Sequence, residues 1–575
     1  MKWEKSKYYG RNVYDVVAKK SPGVLTEPDD IRLYAVPNLR TFAAWLRTYL
    51  EIGKRITVVA DYDCDGVCSG TILQTIFRAF GRNDIEIILP RRQSDGYGLS
   101  MGIIERISCD VLITIDNGIA AIDAIKEAKR RGMVVMVMDH HEPGEELPPA
   151  DIIVDPHVDC MRAGFLKEDA PDKGFPVFEH FCAAGLAYAL ALCIGIPEIV
   201  ADRCAGPAAI ATIADVVPLV GANRGLYRKG IGAIREGRMT EGLKALIDSL
   251  KSNRVIDTES IGFKIAPMLN APGRILDSGA NISFALLTSD DEDEARRLLD
   301  QVNSLNEQRK LLKRAAKARA NLIIEREQLQ NANPLVIVDP KTHPGVIGLT
   351  AGEFCEQDQV TTFAFTVQPD GSCKGSARAC DGDNVFEALS ECKRRNPDIL
   401  LGFGGHEKAA GCTVAPGMMD KFREVMHDIM GERHEKKDTL FYDMEIETAD
   451  IPWQVGSLER YEPYGEGNPR PVFKIRDFML SPKNGNFFVK GKAGLVRFYG
   501  KDCSAIGFWP EGDIFEENRL MTLNIVGTLN RHIFNDLEEN QINIIDLEEV
   551  KKDVTKNKLI TSVGDNLPDG VSLSL

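Results

Sequence analysis

The sequence lacks the features that mark several classes of protein. Its 13 cysteines include no CxxC pair, so neither a zinc ribbon nor a disulfide framework is indicated, and they suit a reduced core. The longest apolar stretch, residues 181–197, contains glycines and falls short of the ~20 apolar residues of a membrane span. The polar beginning has no signal-peptide apolar segment. We therefore expect a cytoplasmic protein without a membrane segment.

Acidic residues outnumber basic ones, with 85 Asp and Glu against 70 Lys and Arg. The formal net charge is −15 at pH 7, which argues against a generally basic surface for nucleic acid. A nuclease is still compatible with this charge, because carboxylates at a metal site count as negative while the bound ions offset them locally. Any polynucleotide contact would then follow a confined basic track.

Residues 56–70, ITVVADYDCDGVCSG, join an apolar run to three carboxylates at alternate positions, Asp61, Asp63 and Asp65. We expect a buried strand with acidic side chains at its carboxyl end, then a turn and a helix from near Ser69. Ligands bind at that end of the strands in open α/β sheets. Three neighbouring carboxylates repel one another unless cations hold them, which favours a divalent-metal site.

Two other interpretations compete with the metal site. An EF-hand loop also begins DxDxDG, but it needs Glu at its twelfth position, where this chain has Ile72, and a helix in front. The second alternative is a solvated acidic turn, which is common for Asp-Gly sequences. The first stretch alone leaves that turn open.

Three further motifs place similar side chains at the ends of predicted elements. VLITID ends in Asp116, MVVMVM is followed by Asp139, His140 and His141, and AAIATIAD ends in Asp215. Singly, each has a structural explanation, because Asp before Gly is a frequent turn and Asp215 could cap a helix. Adjacent histidines invite a cation or an anion. Together, the motifs favour the metal site over the turn.

These motifs carry a family resemblance. DYDCDG, TIDNG, DHH and ADVVPL, in this order, resemble the four motifs of the DHH phosphoesterase superfamily. Four downstream segments resemble the RecJ family of single-stranded-DNA-specific exonucleases: NAPGR (270–274), HPGVIG (343–348), GSAR (375–378) and GFGGH (402–406). PYGEGNPRPVF (463–473) resembles the entry to that family's OB-fold domain. Departures from the family pattern fall at Asn117, Pro272 and Thr342.

Alternation of strands with helices predicts a parallel, doubly wound sheet, and apolar spacing predicts one long helix from about Glu292. With the resemblance, the predicted fold is α/β: a DHH catalytic lobe and a DHH-associated second lobe joined by the long helix, plus a C-terminal OB-fold β-barrel. The expected divisions are 1–50 (N-terminal lead-in), 51–285 (catalytic domain), 286–332 (connecting helix), 333–435 (second lobe), 440–550 (OB-fold domain) and 551–575 (polar tail).

The resemblance also implies a site, residue by residue. Asp63 and Asp116 would bind one metal ion, and Asp65, Asp116, His140 and Asp215 the other, with Asp61 in the first site or its shell. Besides Asp116, the catalytic residues would be Asp139, which fixes a histidine tautomer, and His141, which faces the scissile phosphate. Contacts to DNA or its 5′-phosphate would come from Arg91, Arg92, Tyr97, Arg274, His343, Ser376, Arg378, Gly404, Gly405 and His406.

The predicted cofactors are two Mn²⁺ ions, because mixed carboxylate and imidazole ligands suit Mn²⁺, with Mg²⁺ as the alternative. The function that the resemblance implies is 5′→3′ hydrolysis of single-stranded DNA to 5′-mononucleotides in recombination and repair. A channel between the lobes would exclude duplex. The expected partners of this monomer are single-stranded DNA, a single-strand-binding protein and a helicase. An oligonucleotide or cyclic-dinucleotide phosphodiesterase and an inactive DNA-binding scaffold are the alternatives.

Overall fold

The computed structural model describes residues 2–158, 175–250, 256–431, 439–483, 485–490, 494–508, 520–534 and 537–550. The predicted polar tail, 551–575, lies outside the described residues. The chain divides into two compact units: residues 20–438 with 463–469, and residues 1–19 with 439–462 and 470–575. All the predicted site residues belong to the first of these units, which we call the catalytic unit.

Strands and helices alternate in the first part of the chain. The elements are β1 (Lys2–Lys5), α1 (Val13–Lys20), α2 (Gly23–Thr26), α3 (Leu39–Glu51), β2 (Ile56–Val59), α4 (Cys64–Ala79), β3 (Glu86–Ile88), α5 (Met101–Arg106), β4 (Val111–Ile115), α6 (Ile122–Arg130), β5 (Val134–Met138) and β6 (Ile152–Val154). In the described part of the chain, five of these strands form a parallel sheet in the order β3-β2-β4-β5-β6.

Both faces of this sheet are covered, as the unbroken apolar strands require. Val58 and Ile113 belong to the apolar cluster that includes α4 and the later helices 183–193 and 198–214, whereas Val59 and Leu112 belong to the cluster that includes α5 and α6. The predicted doubly wound α/β arrangement is confirmed. Because the strands are parallel, β2, β4 and β5 end at one edge of the sheet, and the acidic and histidine motifs come directly after them.

A helical stretch comes next: α7 (Ala183–Cys193), α8 (Glu198–Ala214), α9 (Gly221–Arg235), α10 (Glu241–Asp248), α11 (Thr258–Ser260), a π-helix (Ile261–Ile265), α12 (Ala266–Ile275), α13 (Ala280–Thr288) and α14 (Glu292–Arg326). The predicted long helix is α14, which spans 35 residues. It begins where predicted, because the Asp291 side chain accepts the Glu294 N–H at 2.7 Å and caps the helix.

The second lobe contains β7 (Leu335–Val338), a 3₁₀ helix (Pro344–Val346), α15 (Ile347–Asp358), β8 (Thr362–Val367), β9 (Cys373–Arg378), α16 (Val385–Arg395), β10 (Leu400–Gly405), β11 (Ala409–Val414) and α17 (Met419–Met430). Its described strands form a mixed sheet in the order β10-β11-β9-β8-β7, with β7 and β8 parallel. β10, which carries the GFGGH segment, is an edge strand of this sheet.

The other unit is rich in strands. It contains β12 (Thr439–Tyr442), β13 (Met444–Glu447), α18 (Ile451–Leu458), β14 (Phe473–Met479), β15 (Phe488–Lys490), β16 (Leu495–Tyr499), β17 (Cys503–Phe508), β18 (Thr522–Phe534) and β19 (Leu537–Glu549). Within the described residues, β1 pairs with β12, and seven strands form a sheet in the order β13-β14-β18-β19-β17-β16-β15.

One backbone contact in the catalytic unit joins the 3₁₀ helix of the second lobe to α12. A Cβ at Gly345 would lie 1.8 Å from the Arg274 carbonyl oxygen. We expect Gly345→Ala to lower the free energy of unfolding by about 2 kcal/mol or more, since neither backbone can yield cheaply. Chemical denaturation measures this. The control is Gly232→Ala in α9, where a Cβ meets nothing within 4 Å and helix propensity favours Ala. Equal stability of both variants would contradict the tight contact.

Candidate metal centre

The DYDCDG turn is built around a helix cap. The Asp63 side chain accepts the backbone N–H groups of Asp65 at 3.0 Å and Gly66 at 3.2 Å, so α4 begins at Cys64. The prediction that the helix begins near Ser69 was therefore wrong, because the cap lets the acidic residues enter its first turn. A Cβ at Gly66 would lie 2.2 Å from the Asp61 carbonyl oxygen, which explains the glycine.

Asp65 is buried and held by a second helix. Its two carboxylate oxygens accept the N–H groups of Ala183 at 2.7 Å and Ala184 at 2.8 Å, at the beginning of α7. The positive end of a helix dipole favours such a carboxylate. Burial and the charge of Asp63 nevertheless raise the pKa of Asp65 to about 7, so the amides offset only part of the cost of ionising it.

Asp116 follows β4 in a left-handed backbone conformation, with φ +63°. Its neighbour Asn117 is buried and donates to the carbonyl oxygens of Val59 at 3.1 Å and Ile115 at 2.9 Å, while its own oxygen accepts the Leu99 N–H at 3.0 Å. Asn117, a departure from the family pattern, thus ties two strands and the loop before α5 together around Asp116. Burial and the charges of neighbouring aspartates hold the pKa of Asp116 well above its ordinary value.

His140 lies among three carboxylates. Its Nε2 is 3.1 Å from Asp116 Oδ1 and 3.7 Å from Asp65 Oδ2, and its Nδ1 is 3.8 Å from Asp215 Oδ2. Burial and the charge of His141 lower the pKa of His140 to about 3, which keeps the ring in the neutral form that binds metals. Asp215 is the residue after α8, and the exposed Val216 beside it has φ +58°. Left-handed conformations of β-branched residues are strained and concentrate at functional sites.

Asp139 and His141 form a hydrogen-bonded pair beside this cluster. Asp139 Oδ1 lies 2.7 Å from His141 Nδ1, and its Oδ2 accepts the Ile119 N–H at 2.9 Å. Burial of Asp139 opposes its ionisation, but the His141 hydrogen bond and nearby imidazoles hold its pKa below the ordinary value. Burial likewise opposes charge on His141, but Asp139 and other carboxylates raise its pKa to about 9. The ring of His406, from the second lobe, lies nearly parallel to that of His141 with centroids 6.0 Å apart.

This arrangement fits divalent cations. In the described part of the chain, ligand atoms converge within 4.8 Å in three overlapping groups: Asp61, Asp63 and Asp116; Asp65, His140 and Asp215; Asp116, Asp139, His140 and His141. Asp61 Oδ1 is buried without a hydrogen-bond partner, and burial and the Asp63 charge hold the pKa of Asp61 well above its ordinary value. Burial, together with Asp65 and Asp63, raises the pKa of Asp215 to about 8. Ionising all these groups together requires cations.

Four arginines, Arg92, Arg274, Arg309 and Arg378, form a second cluster whose members act on one another electrostatically. Burial lowers the pKa of Arg274 to about 10, and the charges of Arg92 and Arg309 contribute to this shift. The charge of Arg378 also lowers the pKa of Arg274. The Arg92 guanidinium stacks over the Tyr62 ring, 4.7 Å from its centroid. Half-buried arginines that outnumber the carboxylates acting on them favour anionic phosphate groups as ligands.

Close contacts connect the metal ligands to Arg378. A Cβ at Gly273 would lie 3.3 Å from the Tyr62 carbonyl oxygen, and one at Gly345 would meet the Arg274 carbonyl. A Cβ at Gly348 would lie 3.1 Å from Ser376 Oγ and 3.2 Å from Arg378 Nη2. Arg378 Nη1 donates to Ser376 Oγ at 3.0 Å. Gly345 thus lets the two lobes approach closely, whereas Gly273 and Gly348 permit close packing within each lobe.

The other predicted contact residues have varied surroundings. Arg91 is exposed, and its backbone N–H donates to Asp95 at 3.0 Å. His343 Nδ1 accepts the Gly345 N–H at 3.1 Å, a local cap. Tyr97 is 52% exposed, and its hydroxyl lies 3.1 Å from His141 Nε2. Gly404 and Gly405 lie on the edge strand before His406.

Two departures from the family pattern have structural explanations. Thr342 is buried, and its hydroxyl donates to Asp339 Oδ2 at 2.5 Å. The Arg319 guanidinium donates to the same carboxylate oxygen at 2.7 Å. Pro272 lies inside α12, where its carbonyl accepts the Leu276 N–H at 2.9 Å. Both residues therefore take part in local packing.

Sequence reasoning missed Arg309. It lies on α14, donates to Asn306 at 3.1 Å and contributes to the arginine cluster. A signal was available, because Arg309 falls on the apolar stripe of the helix, seven residues after the buried Val302. The α7 amides that bind Asp65 could not be predicted from the sequence, because backbone N–H groups are present at the start of every helix.

Comparison with known proteins shows which proteins this chain is similar to. Three family models match consecutive parts of the chain: the DHH family N-terminal domain at residues 55–213, the DHHA1 domain at 331–432 and the RecJ OB domain at 442–546. The single-stranded-DNA-specific exonuclease RecJ of Salmonella typhimurium is 31% identical over 458 residues, which cover 75% of this chain and 76% of that protein. This chain belongs to the RecJ family.

Solved RecJ structures share the fold. RecJ from Thermus thermophilus in complex with Mn²⁺ has a TM-score of 0.74 at 26% identity, covering 96% of this chain and 80% of that one. An exonuclease RecJ bound to manganese has a TM-score of 0.56 at 32% identity, covering 69% of this chain and 95% of that one. The predicted family, the two-lobed α/β fold and the OB domain are confirmed. Among the described residues of this RecJ-family chain, none of the helices combines the length and the apolar character that crossing a membrane requires.

The raised pKa values predict how pH acts on stability. Asp65 (about 7) and Asp215 (about 8) stay protonated in the folded chain at pH values where they ionise when unfolded. The folded state then binds more protons, so without divalent cations the free energy of unfolding should fall between pH 6.5 and 8.5, by up to about 1.4 kcal/mol per pH unit for each group. His141, raised to about 9, acts in the same direction. Chemical denaturation in EDTA measures this slope.

Saturating Mn²⁺ should remove or reverse the slope, because the cations stabilise the ionised carboxylates. The double variant Asp65→Asn/Asp215→Asn is the control, and its slope in EDTA should be shallower. An identical slope in variant and native chain would show that these carboxyl groups titrate normally.

Proposed function

We propose that this protein is a metal-dependent exonuclease that hydrolyses single-stranded DNA 5′→3′ and releases 5′-mononucleotides. The observation that carries the proposal is the pairing, within one compact unit, of a carboxylate–histidine cluster with a half-buried arginine cluster. The first is suited to hydrolysis and the second to holding phosphates. The name of the Salmonella relative, single-stranded-DNA-specific exonuclease, supports this substrate.

Two cations are the proposed cofactors, Mn²⁺ first and Mg²⁺ as the alternative. Asp63 and Asp116 would hold one, and Asp65, Asp116, His140 and Asp215 the other, with Asp61 in the first site or its shell. When bound, the cations would activate water and neutralise charge on the attacking and leaving oxygens. The Thermus RecJ structures are described as complexes with Mn²⁺ and with Mg²⁺, which supports both ions.

The catalytic side chains have separate roles in this proposal. Asp139 accepts a hydrogen bond from His141 and so fixes the orientation of its ring. His141 faces the scissile phosphate and stabilises the charge that develops there. Because Asp139 is buried and held by the Ile119 N–H, it orients His141 without reaching the substrate.

The arginine cluster is proposed to hold the DNA end. Ser376 and Arg378 would bind the 5′-terminal phosphate, and Arg274 and Arg92 the backbone beyond it. His406 and the glycines before it would let the edge strand approach a phosphate closely. In the OB domain, a cleft of about 550 Å³ includes Lys483 and Tyr499, with the ammonium 5.5 Å from the ring centroid. We propose that the Tyr499 ring provides sequence-tolerant stacking for a single strand, beside the carboxylates of Asp502, Glu538 and Glu539 that also line the cleft.

The proposal extends to the setting of the enzyme. Its substrate must be unpaired, so a helicase that makes single strands and a protein that covers them are the proposed partners in recombination and repair. We propose that the protein acts as a monomer, since both clusters lie within one chain. The proposed location is the cytoplasm.

The first test is digestion of long single-stranded DNA with Mn²⁺, labelled at the 5′ or the 3′ end, beside a blunt duplex and a dinucleotide. We expect immediate release of mononucleotide from the 5′ label and none from duplex. Asp116→Asn should lower the rate by a factor of about 10³ or more, because it removes the carboxylate shared by both metals. Asn tolerates the left-handed backbone at this position, so the fold should persist.

The control for that variant is Asp110→Asn, at the opposite end of β4, where the carboxylate binds Arg55. It should keep native activity. Cleavage of the dinucleotide alone would instead support an oligonucleotide phosphodiesterase, and binding without cleavage a scaffold.

A second test addresses the DNA end. We expect Arg378→Ala to lower the preference for 5′-phosphorylated over 5′-hydroxyl strands, measured as a ratio of kcat/KM values, by about 10- to 100-fold. This factor corresponds to the loss of a charge-assisted hydrogen bond worth about 1.5–3 kcal/mol. Competition between the two strands measures the preference. Lys374→Ala, at the other end of β9 and exposed, should leave it unchanged. An unaltered preference in Arg378→Ala would place the phosphate site elsewhere.

A further inference from the structure

The hydroxyl of Tyr97 contacts His141, the histidine whose orientation matters in the proposed reaction. It is 3.1 Å from His141 Nε2 and 3.1 Å from the backbone carbonyl oxygen of Asp116. The ring of Tyr97 meets that of His141 edge-on, with centroids 5.9 Å apart. Both nitrogens of His141 are therefore held, Nδ1 by Asp139 and Nε2 by Tyr97.

The direction of these hydrogen bonds depends on which nitrogens of His141 carry a proton. A carbonyl oxygen can only accept, so the Tyr97 O–H donates to Asp116, and when both nitrogens of His141 are protonated the tyrosine oxygen accepts from Nε2–H. At 3.1 Å that contact is at the long end for N–H···O, and one N–H can be shared between two acceptors. Tyr97 thus sets the angle of the ring and leaves Nε2–H able to reach a phosphate oxygen.

The loop that carries Tyr97 is fastened to the same strand end. Gly96 and Gly98 flank it with φ +85° and +59°. A Cβ at Gly98 would lie 2.8 Å from the Asn117 Cβ, and the Leu99 N–H donates to Asn117. Because Asn117 comes directly after Asp116, the backbone itself places the tyrosine oxygen beside His141.

We propose that Tyr97 is a positioning residue, whose hydroxyl holds the His141 imidazole in the orientation that meets the scissile phosphate. The chain of contacts runs from the Ile119 amide through Asp139, His141 and Tyr97 to the Asp116 carbonyl. This proposal rests on the proposed exonuclease function and deepens it. Tyr97 acts through His141, so its loss reduces turnover and not strand binding.

Tyr97→Phe keeps the ring and removes the oxygen. On 5′-phosphorylated single-stranded DNA with saturating Mn²⁺, we expect kcat to fall at least 10-fold while KM stays within 3-fold and the Mn²⁺ affinity measured by calorimetry is unchanged. Tyr49→Phe, on α3 and outside the site, is the matched control with native kinetics. In a His141→Gln background, Tyr97→Phe should cause no further loss.

Three results would overturn the proposal: native kcat in Tyr97→Phe, a change in KM alone, or losses that multiply in the double variant. If Tyr97→Phe does not fold, 4-fluorophenylalanine at position 97 fills the space of the oxygen but cannot donate a hydrogen bond to Asp116, and kcat should still fall. ¹⁵N-histidine NMR of the native protein tests the His141 hydrogen bonds without substrate. Inactivity of the native protein on single-stranded DNA would reject the proposed function, whereas NMR would still report the Tyr97–His141 contact.

Discussion

The mutual repulsion of buried aspartates at one edge of a parallel sheet is the constraint on which the catalytic unit depends. Asp61, Asp65 and Asp116 are each at most 3% exposed, and burial and their neighbours' charges raise the pKa of each. Such a cluster is costly to ionise without cations. The parallel sheet makes it unavoidable, because strands that end at one edge bring the residues after them together.

Backbone groups offset part of this repulsion. The start of α4 gives two N–H groups to Asp63, and the start of α7 gives two to Asp65. The left-handed residues Asp116 and Val216 show where the chain accepts strain at or beside a ligand. Amides can fix a carboxylate but cannot neutralise several at once. The cluster is thus organised before metal binding, and its remaining charge is a driving force for binding cations.

Features with a local sequence pattern could be predicted, whereas features that depend on tertiary contact could not. DxDxDG, the buried strands and the long helix have clear periodicity, so the sheet, the ligand edge and α14 were predictable from it. The beginning of α4 was misplaced because Asp63 was assigned only as a ligand, although it also caps the helix. Arg309 enters the arginine cluster through the packing of α14. The Tyr97 hydroxyl reaches His141 through the loop fastened by Asn117, and no spacing rule encodes such a loop.

The net charge of −15 says little about the substrate, because opposite charges are segregated within the catalytic unit. Asp63 raises the pKa of Arg274, although burial and nearby arginines lower it overall, so the two clusters interact electrostatically. Gly345 packs against the Arg274 carbonyl and Gly273 against the Tyr62 carbonyl, so backbone contact fixes the interval between the segments that carry the arginines and the metal ligands. If a 5′-phosphate occupies the arginine cluster, that fixed interval decides which phosphodiester reaches the metals. A constant product length then results from packing alone, without any recognition of base sequence.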